Sequence, residues 1–179
     1  MVQCENITTA AIINDQTGSS RKADFAITFN VEDSVVTDFA GRGLETLSHS
    51  SYQPVCYSPP AVSLETKLEG ERGHEAGLQL CIWAYAHVMT LKQLLHKTGR
   101  PNTMIPALPL LVVHGGKWHF NYFEIGTDSA TRWAQVTIGD TATTQVIAAV
   151  QRLAEWTAVV DCPWFVENIL DPLLNLPHE

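Results

Sequence analysis

No run of this sequence is long and apolar enough to cross a bilayer. The longest, residues 105–113, contains two prolines and stops at His114, whereas a spanning helix needs about 20 residues. The first residues, MVQCE, have neither a basic segment nor an apolar core behind them. No secretory signal is therefore expected, and the chain is read as intracellular, cytoplasmic or nuclear. Cys4, Cys56, Cys81 and Cys162 form no CxxC pair, which argues against a zinc ribbon or a small disulfide scaffold and leaves free thiols. The seven histidines contain no HxxxH spacing, so none is read as a metal ligand. Cations are scarce too. With 11 Lys and Arg against 19 Asp and Glu, the formal net charge is −8, which argues against a protein that coats nucleic acid. There are no repeats and no low-complexity linkers.

What is present is an ordinary globular composition, 45% hydrophobic and 17% charged over 179 residues, enough for one domain (1–179) with a real core. Residues 6–13 (NITTAAII) are apolar and β-branched and predict a strand. Residues 14–20 carry turn chemistry. Residues 22–29 alternate, with Asp24 on the polar face, and predict a second strand in a hairpin with the first. Residues 31–47 have helical character, and 49–60 form a proline-rich connection. Residues 61–67 (AVSLETK) predict a strand with Val62, Leu64 and Thr66 on one face and Ser63, Glu65 and Lys67 on the other. The longest helix is expected over 74–97, with Leu78, Ile82, Tyr85 and Met89 facing inward. Strands follow at 108–114 and 117–124 across a Gly115-Gly116 hairpin turn, and another at 132–138. A second long helix is expected over 141–160, and the tail docks through Trp164, Phe165 and Ile169. This order predicts an α/β fold, a single domain with a central mixed β-sheet flanked by helices.

The unusual feature is a pair of opposite charges, Glu65 and Lys67, at i and i+2 on a strand otherwise suited to a core. Asp24 lies on the preceding strand. Glu75 and Gln79 lie one turn apart at the start of the long helix, with Trp83 a turn further on. Two carboxylates on neighbouring strands repel each other, and a hard divalent cation relieves that repulsion; carboxylate oxygens suit Mg2+ or Mn2+. A lysine beside such a metal can orient a water and stabilise a pentavalent phosphate. The plainer alternatives are an exposed Glu65–Lys67 ion pair worth roughly 0–1 kcal/mol and a Glu75 that merely complements the helix dipole.

These segments resemble the PD-(D/E)XK nuclease superfamily, and in particular a fungal branch of nuclease-like proteins. The match is carried by KADF at 22–25, LSHS at 47–50, AVSLETK at 61–67, EAGLQLCIW at 75–83 and VTIGD at 136–140, and runs from about residue 6 to residue 165. The resemblance implies a restriction-endonuclease-like fold, Asp24 and Glu65 as metal ligands, and Lys67 as the catalytic lysine. Gln79, in a Q-x-x-x-aromatic arrangement with Trp83, resembles a motif of exonuclease-like branches that supports the site or contacts nucleic acid. Relatives usually carry a helix before the first strand that adds an acidic residue. With the first strand expected at about residue 6, that helix is absent here, and Glu5 stands as a substitute. Sheet surface left uncovered would suit a second copy of the chain, a homodimer.

Three functions follow. The first is divalent-metal-dependent phosphodiester hydrolysis of DNA or RNA by Asp24, Glu65 and Lys67, with Gln79, Glu75 and Trp83 supporting the site. The second is a repurposed enzyme, an isomerase, cyclase or hydrolase acting on a small molecule in fungal specialised metabolism by general acid/base catalysis and without a metal. The third is a catalytically silent interaction module. The acidic balance offers no evident basic track for a phosphate backbone and keeps the second reading close to the first.

Overall fold

In the computed structural model, residues 1–13, 23–70, 73–126 and 129–176 are described. Six strands form one sheet: β1 (Val2–Asn6), β2 (Phe25–Phe29), β3 (Pro60–Lys67), β4 (Leu108–His114), β5 (Lys117–Ile125) and β6 (Ala130–Asp140). They lie in sequence order, and every neighbouring pair is antiparallel except β3 and β4, which are parallel. A parallel pair needs a crossover, and the long helix α3 (Gly73–Lys97) supplies it. Between β2 and β3 lie α1 (Asp33–Gly41) and the single turn α2 (Gln53–Cys56). After β6 comes α4 (Thr144–Trp156), continued through π-helical turns by the short α5 (Cys162–Phe165) and α6 (Asp171–Leu174). Among the described residues no helix is long and apolar enough to cross a membrane.

Helices cover both faces of the sheet. Ala76, Leu80, Trp83, Ala84 and Val88 of α3 pack on Leu108, Leu110, Val112 and Phe123. On the opposite face, Ile27, Val62 and Leu111 meet Val150 and Leu153 of α4. A third cluster joins Phe29 and Phe39 to Leu91, Leu94 and Leu95 at the end of α3 and to Phe165, Ile169 and Leu173. The tail therefore docks as its apolar residues predict.

Several expectations need correction. The first strand is not 6–13 but Val2–Asn6. Asn6 ends it: its side-chain oxygen accepts from Thr8 N at 3.2 Å and Thr8 Oγ1 at 2.8 Å, and Ala10 N donates to Ile7 O. These bonds turn the chain, and the apolar Ile7 and Ala10 serve the core beneath α3 instead. The second strand starts at Phe25, so Asp24 precedes it; Lys22 and the turn at 14–20 lie outside the described residues. The helix expected across 31–47 is confined to α1, and the connection at 49–60 holds α2. The last strand extends beyond 132–138 to Ala130–Asp140, and the last long helix begins at Thr144 instead of 141.

The face of α3 is the largest correction. Leu78 and Tyr85 are each 51% exposed and Met89 is 37% exposed, whereas Ala76, Leu80, Trp83, His87 and Leu91 are buried. Both stripes satisfy helical spacing. The small residues Ala76 and Ala84 let the second stripe approach the strands closely. Leu80→Ala should therefore cost about 2–5 kcal/mol in urea denaturation, and Leu78→Ala no more than about 0.5 kcal/mol. Equal losses would mean that the 78–89 stripe is the buried one.

Candidate active site

The antiparallel register of β2 on β3 pairs Phe25 with Leu64. Just before it, Asp24 N donates to Leu64 O, and Asp24 O accepts from Ile7 N, both at 2.9 Å. Asp24 is thus held in the sheet's hydrogen-bond pattern although it precedes the strand. Its Oδ2 accepts from Thr66 N at 2.8 Å and from Thr66 Oγ1 at 2.5 Å. Thr66 stands between Glu65 and Lys67, so the carboxylate is pinned at the centre of the triplet.

Glu65 is 4% exposed. Its Oε1 accepts from Lys67 Nζ at 2.7 Å, while Oε2 is buried without a hydrogen-bond partner among the described residues. Burial pushes the Glu65 carboxyl above its ordinary value; the Lys67 bond opposes this and the charge of Asp24 adds to it. The structure therefore brings Asp24, Glu65 and Lys67 together. Glu65 and Lys67 are not an exposed ion pair, because one partner is buried and the other only partly exposed.

The helix contributes unevenly. Glu75 is exposed in the first turn of α3. Gln79 is half-buried, and its Oε1 is a buried acceptor without a partner among the described residues. Trp83 is fully buried, so it belongs to the core and presents no ring surface to a nucleic acid. Its Nε1 also lacks a partner among the described residues. Glu5 is half-buried on β1 opposite Ala26, whose side chain packs under α3; the register thus puts Glu5 on the same sheet face as Glu65.

The sequence reading missed two residues. His49 lies edge-on to Trp83, with ring centroids 4.1 Å apart, and 5.1 Å from the ring of His87. Both imidazoles are buried; desolvation holds His49 well below its ordinary value and pushes His87 down to about 4, so both are neutral. His49 Nε2 and His87 Nδ1 have no partners among the described residues. Gln79, Trp83 and His87 recur at i, i+4 and i+8, a spacing that could have revealed this polar stripe inside an apolar helix face.

A divalent cation fits the acid pair in one specific way. Among the described residues no three His, Cys, Asp or Glu side chains converge into a cage. Mg2+ does not require one, since it is commonly held by one or two carboxylates and completes its shell with water and substrate phosphate. The unpartnered Glu65 Oε2, within the field of a second carboxylate, is the donor such an ion would take.

A family model of the PD-(D/E)XK nuclease superfamily matches residues 1–160. The chain belongs to that superfamily, and its mixed sheet with flanking helices is the restriction-endonuclease-like α/β fold. No curated protein and no solved structure gives a significant match.

The raised Glu65 carboxyl has a measurable consequence. The folded chain holds this proton more tightly than the unfolded chain, so the group's contribution to stability is full at acid pH. It is lost as pH rises from the ordinary glutamate value, about 4.3, through the raised one. Glu65→Gln removes that loss. Denaturation midpoints of the two proteins should diverge in favour of Gln as pH rises through this window, and a pH-independent difference would refute the assignment.

Proposed function

We propose that the chain is a divalent-metal-dependent phosphodiesterase acting on DNA or RNA, with the whole chain serving as one nuclease-like domain. The observation that carries this reading is the Asp24 carboxylate fixed on Thr66 beside a buried Glu65 whose second oxygen is unanswered, with Lys67 on the first. Asp24 and Glu65 would hold Mg2+ or Mn2+, which when bound supplies charge neutralisation and an activated water. Lys67 places its ammonium beside the site, where it can shift from Glu65 to the extra negative charge that develops on the phosphate as water attacks. Hydrolysis breaks one P–O ester bond, the water oxygen goes to phosphorus, and the leaving alkoxide takes a proton. Gln79, with a free acceptor at the helix end nearest the site, supports it through hydrogen bonding to water or nucleotide.

A second reading has its own observation. The buried, neutral His49 lines a separate cavity of about 600 Å³ with Ser48, Tyr85 and Met89, which would suit general acid/base chemistry on a small molecule.

The deciding assay incubates the protein with labelled single-stranded and duplex oligonucleotides in Mg2+, in Mn2+ and in EDTA. Cleavage should require the metal and fall by about 100-fold or more in Lys67→Ala and in Asp24→Asn and Glu65→Gln. Absence of cleavage in either metal, or cleavage retained in Lys67→Ala, would remove the nuclease reading.

A further inference from the structure

The strands beyond Lys67 carry lysine and histidine side chains in a row that the linear sequence scatters. In the parallel register Lys67 pairs with His114, and in the next ladder His114 pairs with Lys117. One step along, Glu65 pairs with Val112 and Val112 with His119, which in turn pairs with Thr137. Laterally paired residues point to the same face. That face is the α3 side, because Leu108, Leu110, Val112 and Phe123 of the same parity pack under α3. His119 Nδ1 lies 3.2 Å from Thr137 Oγ1 on β6.

Arg132 of β6 stands on the same face outside that row, opposite Phe123, four residues along β5 from His119. Its guanidinium lies against the backbone of Gly77 in α3: a Cβ built at Gly77 would come within 1.9 Å of Arg132 Nη1. The positive charge also reaches Cys81, one turn on, where it opposes the rise of the thiol caused by burial. Gly77 thus leaves a notch in the helix, and the guanidinium fills it. Lys117 and Arg132 are exposed, and neither makes an ion pair among the described residues. Three acids lie close by. Glu69 packs against Gly115, in the turn between His114 and Lys117. Asp140, opposite Lys117, accepts from Ala142 N at 3.2 Å in the turn that follows, and Glu75 stands in the first turn of α3.

We infer that this face, with Lys67, His114, Lys117 and His119 at its end and Arg132 further along β6, is a docking strip for the phosphodiester backbone of a nucleic acid strand, leading across β4–β6 to Glu65. Adjacent strands lie about 4.8 Å apart, so the strip spans four strands and presents a repeating line of donors and positive charge on one face. Arginine and lysine neutralise phosphates and release counterions, while imidazole and Thr137 hydroxyl groups can bond the same oxygens. The inference rests on the nuclease reading for its direction and supplies the basic track that the net charge of −8 conceals.

The test measures binding apart from cleavage, by fluorescence anisotropy in EDTA, with labelled single-stranded DNA, single-stranded RNA and duplex DNA as separate arms; the tightest arm identifies the source of the backbone. Lys117→Ala/Arg132→Ala should weaken that arm about tenfold and lower the slope of log affinity against log salt by about two. Gly77→Ala should displace the guanidinium and weaken binding as Arg132→Ala does. Its melting temperature should hold or rise, since alanine is the better helix former. Arg152→Ala removes one positive charge from α4, across the sheet, and should bind as the parent does. Strip variants that bind within about twofold of the parent, or a parent that binds no arm, would overturn the strip. Binding lost in the strip variants with no metal-dependent cleavage by the parent would uphold the strip and remove the nuclease reading. Cleavage by the parent that the strip variants retain in full, with unchanged binding, would do the reverse.

Discussion

Two hydrogen bonds from Thr66 to one oxygen of Asp24 hold the candidate site together. A charge-assisted bond is roughly twice as strong as a neutral one, and this carboxylate receives both the backbone N–H and the hydroxyl of the residue between Glu65 and Lys67. The bonds fasten the entry of β2 to the middle of the site triplet. They also spend one oxygen of Asp24 on structure, so the acid that most needs a counter-charge is Glu65. Its position follows from the β3 alternation: Val62 and Leu64 pack toward α4, which turns Glu65 under α3 where water is excluded. A buried acceptor without a partner costs about 1–3 kcal/mol. A fold that holds one beside a lysine keeps a reactive arrangement at the expense of stability.

Net charge proved a poor guide to the local field. Of eleven Lys and Arg, Lys67 and Lys117 stand together at the end of β3 with His114 between them, and Arg132 shares their sheet face further along, opposite Phe123. Residues distant in sequence are brought abreast by the β3–β4–β5–β6 ladders. An acidic protein can therefore present a basic face, and association depends on that face more than on the total.

The sheet and the acid–lysine pair were legible because their signals are local. Alternation in residues 61–67 and the Gly115-Gly116 turn, both glycines at positive φ (55° and 85°), specify strands and a hairpin without long-range information. Glu65 and Lys67 share a face by spacing alone. What the sequence left open depends on tertiary contacts. Residues 6–13 look like a strand, but Asn6 caps its own chain, and the apolar residues after it pack under α3. Two stripes of α3 compete at the same period, and only close packing of Ala76 and Ala84 on the strands chooses between them. Trp83 resembled a site aromatic and is core. His49 became visible only once the loop before α2 was folded against Trp83 and His87, and the cationic row only once the strand register was known.

The chemistry of the site turns on whether Glu65 and Asp24 receive a cation. Titration of Mn2+ into the protein, followed by calorimetry and by the electron paramagnetic resonance of free Mn2+, reads that directly and needs no substrate. One saturable site is expected, lost in Glu65→Gln and weakened in Asp24→Asn, both variants remaining folded. Equal Mn2+ binding by the parent and Glu65→Gln, or no binding by either, would contradict it.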